Sequence, residues 1–480
     1  MNLFVIGKII GYALCLESAL MILPLAFTIY YQESTLPFTI PMIMGVLLGF
    51  LLTRTGKQAN KMASKEGFVS TGLTWIVLSL VGMLPFMICG AVTNPFDAFF
   101  ETVSGFTTTG SSILTDIEAL PKGVLIWRSF THWIGGMGIL VFMSAIVHFG
   151  DGSQMNLIKA ESPGPVVSKL LPKASDTAKI LYVIYTMLTV ITLVVLLALK
   201  MPFFDALCIT FGAAGTGGFG VLNDSCASYT IAQQAVVTVA MLAFGVNFSF
   251  YFFIIMKKVD QALHMEEVWL YLFIVAGAIL LISLDLMMQN GFSAPFMTIH
   301  NAAFHVSSII TTTGYGIDDI NLWPHFSQGI IVVLMFAGAC AGSTGGGYKI
   351  SRLLLMWKAA LRDLAIQLHP GIVKKVHIDG KPVEEKVIRL TGIYTFLYSM
   401  IMIISVMLIS LDKMDWSSTI TSVIATFNNI GPGIGVNGTC GNYSEFSNFS
   451  KLILSADMLI GRLEIFPILA LFRKETWRKF

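Results

Sequence analysis

Ten apolar spans of about twenty residues run through this 480-residue chain, near 8–31, 38–53, 68–90, 124–148, 179–199, 229–256, 267–289, 326–356, 388–411 and 449–472. Spans of that length read as membrane-crossing helices. Within a bilayer every backbone N–H and C=O must be satisfied inside the protein, so only helices or closed barrels cross it. Only 12% of the residues are charged, against about 25% in a soluble domain. The expected fold is an all-α polytopic membrane protein. The first span, Ile9 to Tyr30, is longer than a signal-peptide core and lacks a small-residue cleavage site, so it is expected to be a retained helix. Six cysteines lack metal or disulfide-framework spacing. Cys226 and Cys440, in expected external loops, are read as free thiols rather than a bridge.

Four shorter apolar segments, 95–107, 202–214, 295–310 and 415–429, lie between the helices of the later pairs. Each is too short to cross and ends in a stretch rich in glycine or threonine, so each is expected to be a re-entrant helix with its C-terminus, the negative end of its dipole, aimed at the loop. The clearest loop is Thr311-Thr312-Thr313-Gly314-Tyr315-Gly316, which resembles the filter sequence of potassium channels. Weaker copies are Thr107-Thr108-Thr109-Gly110, Gly215-Thr216-Gly217-Gly218-Phe219-Gly220 and Ile430-Gly431-Pro432-Gly433-Ile434-Gly435. Aligning Gly110, Gly218, Gly314 and Gly433 gives spacings of 108, 96 and 119 residues, the signature of an internal repeat. A cation sheds its water only where oxygen dipoles replace it, and backbone carbonyls in such a loop supply them. The candidate ion-binding residues are Thr108, Thr109 and Gly110; Thr216, Gly217 and Gly218; Thr312, Thr313 and Gly314; and Gly431, Pro432 and Gly433. Repeats two and four depart from the threonine pattern, which is expected to weaken discrimination against Na⁺ while letting Rb⁺ pass with K⁺.

Basic residues follow alternate spans: Arg54, Lys57, Lys61 and Lys65; Lys159, Lys169 and Lys173; Lys257 and Lys258; the stretch from Lys349 to Arg389; and Arg473 to Lys479. The positive-inside rule puts both termini in the cytoplasm. The opposite loops carry Asp116, Glu118, Asp224, Asp285, Asp318, Asp319, Asp412, Asp415 and Glu445, read first as solubilising charge. The stretch 349–389 reads as a solvated cytoplasmic loop long enough to dock a regulator. The eighth span is interrupted by Gly338-Ala339-Cys340-Ala341-Gly342-Ser343-Thr344-Gly345-Gly346-Gly347. Glycine costs about 1 kcal/mol relative to alanine in a helix, so this stretch is expected to unwind. No strand precedes it and no Lys-Ser/Thr follows, which excludes a phosphate-binding loop. Arg462, expected at similar depth in the last span, would cost roughly 2.5–3.5 kcal/mol in lipid and therefore faces a wet cavity or a partner. Gly342, Ser343, Thr344, Gly345, Gly346, Gly347 and Arg462 are the candidate gate. Glu101, His305, Asn428 and Asn429 read as structural hydrogen-bonding groups, Gly135-Gly136-x-Gly138 as helix-packing glycines, and Glu17 as a contact to a neighbouring helix.

Four helix–loop–helix units in one chain, with Phe99-Phe100-Glu101-Thr102-Val103-Ser104-Gly105-Phe106, Trp133-Ile134-Gly135-Gly136-Met137-Gly138 and Gly461-Arg462-Leu463-Glu464-Ile465-Phe466-Pro467, resemble the TrkH/TrkG/KtrB potassium transporters over essentially the whole chain. An extra helix pair before the first unit is the TrkH-like arrangement. The resemblance implies a two-helix extension over 1–67 and pore repeats over 68–150, 151–264, 265–384 and 385–480 around a pseudo-fourfold axis. It implies K⁺ as the transported ion, no bound organic cofactor, residence in the bacterial inner membrane, homodimerisation, a cytosolic nucleotide-binding regulatory subunit of the TrkA type, and no nucleic-acid partner. Coupling of K⁺ flux to H⁺ or Na⁺, or weak K⁺/Na⁺ selectivity, stays open at this level. A membrane enzyme is not expected, because the eight histidines are dispersed.

Overall fold

The computed structural model describes residues 1–55, 64–138, 174–289, 293–439 and 441–478, which are helical almost throughout. The expectations for 139–148, for Lys57, Lys61, Lys159, Lys169 and Lys173, and for Cys440 lie outside the described residues. Cys226 is a free, buried thiol.

Among the described residues six helices are long and apolar enough to cross a bilayer: Leu3–Tyr30, Leu36–Arg54, Lys65–Ile88, Asp176–Ala198, Glu266–Gln289 and Glu385–Asp412. The first and third carry short interruptions at Met21 and Met83. Pro24 and Pro85, lying just beyond, have no N–H to return to the preceding turn. Gly11 and Gly49 bring the first two spans into backbone contact, since a Cβ on either would lie 2.7 Å from the other's carbonyl oxygen. Val46, Leu47, Phe50 and Leu51 stay exposed on the outer face, where lipid would cover them. Glu17 is buried on the inner face, its Oε1 3.0 Å from where a Cβ on Gly82 would sit.

Three expected spans are not straight. Residues 229–256 form two helices, Ile231–Gly245 and Phe248–Ile255, bent by 89° where Asn247 caps the second by accepting the Ser249 N–H. Residues 326–356 form His325–Ala337, a non-helical break over 338–349, and the start of the helix Ile350–Leu368. Residues 449–472 form Asn448–Arg462 and Phe466–Phe472, separated where Glu464 and Ile465 take φ of +57° and +68°. The second break is spelled out by a run of glycines, whereas the first follows the single Gly245 and the third lies between Gly461 and Pro467. Hydropathy registers none of these local signals.

The stretch 349–389 is not a loop. It is the helix Ile350–Leu368, a hairpin pairing His377–Ile378 with Lys381–Pro382, and the start of the helix Glu385–Ile409. Lys349 and Arg352 are buried rather than solvated. An apolar cluster of Leu355, Ala359 and Val376, with Ile378 and Val383 against it, seats the hairpin on the preceding helix.

Four short helices, Pro95–Phe106, Phe203–Gly215, Pro295–Ile310 and Trp416–Phe427, stand close to the expected bounds. Asn94 and Asp415 cap the first and fourth, and Pro95 and Pro295 occupy first-turn positions that need no donor. All four are buried toward their C-terminal ends, so the chain leaving them emerges in the interior.

Candidate functional site

Each short helix runs into a segment with one backbone signature. A non-glycine residue adopts left-handed φ, and two positions later a glycine does the same: Thr108 (+55°) and Gly110 (+82°), Thr216 (+54°) and Gly218 (+77°), Thr312 (+60°) and Gly314 (+87°), Asn429 (+55°) and Gly431 (+96°). A residue with a Cβ pays roughly 1–2 kcal/mol for that conformation, so four repeats of it mark an arrangement held by its surroundings.

The glycines close a ring. A Cβ built on Gly110 would lie 2.0 Å from the Gly217 carbonyl oxygen; on Gly218, 2.1 Å from that of Thr313; on Gly314, 2.1 Å from that of Ile430; on Gly431, 2.6 Å from that of Thr109. Each segment thus abuts the next, and the fourth returns to the first. All four glycines line one polar cavity of about 110 Å³ on the side from which the segments leave.

This geometry corrects the alignment. Gly431, not Gly433, is the counterpart of Gly110, Gly218 and Gly314, and the last spacing is 117 rather than 119 residues. Asn428, Asn429 and Ile430 therefore stand against Thr311, Thr312 and Thr313. Gly433 lies two residues on, its N–H donated to the Asn437 carbonyl at 2.7 Å. Pro432 occupies the step held by Ser111, Phe219 and Tyr315 elsewhere. Two glycines flanking a proline gave two plausible registers, and only φ separates them.

Side chains brace every junction of the ring. Between the first and second segments, the His132 ring fills the space a Cβ on Gly217 would need, 2.3 Å from its Cγ. His132 Nε2 accepts the Phe219 N–H at 3.2 Å, so Nδ1 carries the proton and donates to the Gly105 carbonyl at 2.8 Å. Arg128 donates to Glu101 at 2.6 Å and to the Gly220 carbonyl at 2.9 Å, with its guanidinium 3.7 Å from the centre of the Phe219 ring. Glu101 also accepts the Ile113 N–H at 2.9 Å, a bracing role as expected. Tyr315 donates to Ile209 and Phe219 carbonyls, tying the third segment to the second. Asn321 and Gly435 exchange hydrogen bonds of 3.2 and 2.7 Å between the third and fourth. Between the fourth and first, Asn429 donates to the Thr109 hydroxyl at 3.0 Å, and the Gly431 carbonyl accepts Tyr443 at 2.8 Å and Ser111 at 3.2 Å.

Not every threonine hydroxyl is free for a ligand. Thr107 pairs with Thr109 and Thr311 with Thr313, both at 2.8 Å. Thr108 Oγ1 and Asn429 Oδ1, at equivalent positions beneath the ring, are buried and have no hydrogen-bond partner among the described residues.

The Arg128–Glu101 pair is 2% and 0% exposed. Removing one partner of a buried pair typically costs about 3–5 kcal/mol. Arg128→Met is expected to lower the thermal midpoint of the detergent-purified protein sharply, and Arg128→Met with Glu101→Gln to recover part of the loss.

Beneath the ring lies the break over 338–349. A Cβ on Gly345 would lie 2.8 Å from the Thr311 carbonyl oxygen, and one on Gly346 2.5 Å from that of Asn428. The Gly346 N–H is donated to Thr312 Oγ1 at 2.6 Å. Gly342 and Gly347 take φ of +67° and +78°, while Ser343 bonds the Cys340 carbonyl at 2.7 Å. Lys349 donates to the Gly345 carbonyl. Arg462 sits at the end of its helix and donates to the Thr344 carbonyl at 2.9 Å and to the Gly135 and Gly136 carbonyls at 2.5 and 2.6 Å. It therefore ties the break to the C-terminus of the helix Lys122–Gly136, across from the contacts with Thr311 and Asn428.

A profile of the TrkH family, described as cation transport protein, matches residues 34–479. The chain belongs to the TrkH family of cation transport proteins. It is 33% identical over 485 residues to the Trk system potassium uptake protein TrkH of Escherichia coli K12, covering 100% of both chains. It is 28% identical over 481 residues to that strain's TrkG, covering 99% of this chain and 98% of the other. The crystal structure of the potassium transporter TrkH from Vibrio parahaemolyticus matches it with a TM-score of 0.88 at 29% identity, covering 100% of both chains.

In this TrkH-family chain, the break, Arg462 and most of the loop residues that form the ring stand out in the sequence. His132 and Arg128 do not, nor do Asn247, Glu267 and Lys349, which hold the break. His132 lies four residues after Arg128, a spacing that puts both on one face of the helix Lys122–Gly136. Gly135 and Gly136 pack as expected: a Cβ on Gly135 would lie 1.9 Å from the Phe106 carbonyl oxygen. Their carbonyls also receive Arg462. His305 bonds the Asn301 and Asp318 carbonyls, and Asn428 accepts Tyr398, both structural roles. Glu464 pairs with Arg352 rather than Arg462. Several of the expected loop carboxylates are occupied locally. Asp412 accepts the Ser447 N–H, the Asn223 amide holds Asp116 below the usual carboxylate range, and Asp285, which lies in the helix Glu266–Gln289 rather than in a loop, accepts Ser327.

Proposed function

We propose that the ring is a backbone-carbonyl selectivity filter through which K⁺ enters the bacterial cell, and that the break with Arg462 is its gate. The observation that carries this reading is the closure of four homologous segments on one another, each through the residue preceding its glycine. Membership of a cation transport family and the potassium named in the titles of its relatives support the choice of ion. Thr108, Thr109 and Gly110, Thr216, Gly217 and Gly218, Thr312, Thr313 and Gly314, and Asn429, Ile430 and Gly431 would supply oxygen ligands, with Pro432 and Gly433 beyond them.

The division into a two-helix extension over 1–67 and four pore repeats belongs to this proposal. So do residence in the inner membrane with both termini cytoplasmic, homodimerisation, and control by a TrkA-type nucleotide-binding subunit. Selectivity is proposed to be modest. The Gly431 carbonyl already accepts two hydroxyls, so the fourth quadrant has less freedom to coordinate an ion than the others.

The test is ⁸⁶Rb⁺ uptake by the purified protein in liposomes, with K⁺ and Na⁺ as competitors. K⁺ is expected to compete strongly and Na⁺ measurably. Reversal potentials under opposed K⁺, Na⁺ and H⁺ gradients are expected to follow K⁺ chiefly, to shift with Na⁺ only as far as its relative permeability dictates, and to ignore H⁺. A potential that moves with the H⁺ gradient, or K⁺ flux that requires Na⁺, would replace conduction with symport.

A further inference from the structure

Glu266 and Glu267 open the helix Glu266–Gln289, and the two neighbours reach in different directions. Glu267 is 7% exposed, and its Oε1 accepts the Ala341 N–H, inside the break, at 2.5 Å. Its Oε2 faces the Asn247 amide at 3.4 Å, at the 89° bend. The bend holds the same strand of chain, since Phe248 donates its N–H to the Gly342 carbonyl at 3.0 Å and Cys340 donates to the Gly245 carbonyl at 3.1 Å.

Glu266 points the other way, to the hairpin. Its N–H is donated to Asp379 Oδ1 at 2.9 Å, and the Asp379 N–H is donated to Glu266 Oε1 at 3.2 Å. Lys358 closes the clasp by pairing with the Glu266 carboxylate and bonding the His377 carbonyl at 2.8 Å. The hairpin rides on the helix that begins where the break ends.

We infer that Glu267 is the peg that holds the break closed beneath the ring, and that the clasp between Glu266 and the hairpin tip at Asp379 sets the peg. The inference rests on the gating role proposed above and adds the positioning residues and the route by which the exposed hairpin bears on the break. A carboxylate is suited to the task. The Ala341 N–H is buried and has left helical geometry, so it needs an acceptor, and an ionised acceptor binds it about twice as strongly as a neutral one. Two consecutive residues on one rigid helix turn movement at Asp379 into movement at Ala341.

The experiment uses the full chain in liposomes and reads two quantities: ⁸⁶Rb⁺ flux, and the rate of N-ethylmaleimide labelling at Cys340 resolved by peptide mass spectrometry. Cys340 is fully buried beside Ala341, so labelling reports release of the break. Glu267→Ala is expected to raise labelling and flux on the order of tenfold, the weight of one charge-assisted hydrogen bond. Glu267→Gln, which keeps an acceptor oxygen but loses its charge, is expected to raise both by an intermediate factor of about three. Asp379→Ala, on the exposed hairpin, is expected to raise both by a smaller factor.

Labelling decides the peg and flux decides the gate. Parental labelling in Glu267→Ala overturns the peg, and parental labelling in Asp379→Ala overturns the clasp. Raised labelling with parental flux supports the peg and rejects the break as gate. If Glu267→Ala does not purify as a monodisperse protein, Asp379→Ala and Glu267→Gln carry the test. The inference then predicts raised labelling in both, and parental labelling in the first overturns the clasp, in the second the peg.

Discussion

Replacing Arg462 with alanine is expected to raise ⁸⁶Rb⁺ uptake by the purified protein about tenfold or more, the shift that loss of a single hydrogen bond to a charged group produces in a two-state equilibrium. Two effects act in the same direction. The guanidinium is a fixed positive charge beneath the ring, where a conducted cation would have to pass in the proposed pathway. Its three carbonyl bonds also tie the break at Thr344 to Gly135 and Gly136, and alanine releases both ends. Arg462→Lys separates the two. It keeps the charge but lacks the planar fork that reaches several carbonyls at once, so an intermediate flux is expected. Parental or reduced flux in well-folded Arg462→Ala would falsify the barrier role.

Gly431→Ala is expected to cut ⁸⁶Rb⁺ uptake to a tenth or less. Left-handed φ alone disfavours a Cβ by roughly 1–2 kcal/mol. At this position the new methyl would also lie 2.6 Å from the Thr109 carbonyl oxygen and 3.0 Å from the Gly110 carbonyl carbon. The first quadrant would have to move, and coordination distances with it. Gly433→Ala is the control for register. Its Cβ would meet the side chains of Asn437 and Thr421 rather than the backbone of a neighbouring quadrant, so a milder loss is expected. If Gly433→Ala proved the more damaging of the two, the alignment through Gly431 would be wrong.

Much of the architecture is legible from local chemistry. The short helices carry their own start signals in Asn94-Pro95 and Asp415, and glycine content alone locates the break over 338–349. The buried cost of a guanidinium correctly demanded a partner for Arg462. What local chemistry does not carry is the choice between equivalent options. Gly431 and Gly433 both suit a tight turn, and one of the two hydroxyls that brace the first, that of Ser111, comes from 320 positions away. The bend at Asn247 and the kink at Glu464 are likewise invisible in hydropathy. Glu267 begins a span like any first-turn acid, and only the folded chain brings Ala341 within reach of it.

Because the ring is drawn from one polypeptide, no two of its quadrants need share a residue. In an assembly of four identical subunits a point mutation strikes every side at once, and most such changes are ruinous. Here a codon alters a single quarter at a time. In the proposed pore, ion preference can therefore be tuned one side at a time, and the unlike Gly217, Thr313 and Ile430 stand at matching positions around its circumference.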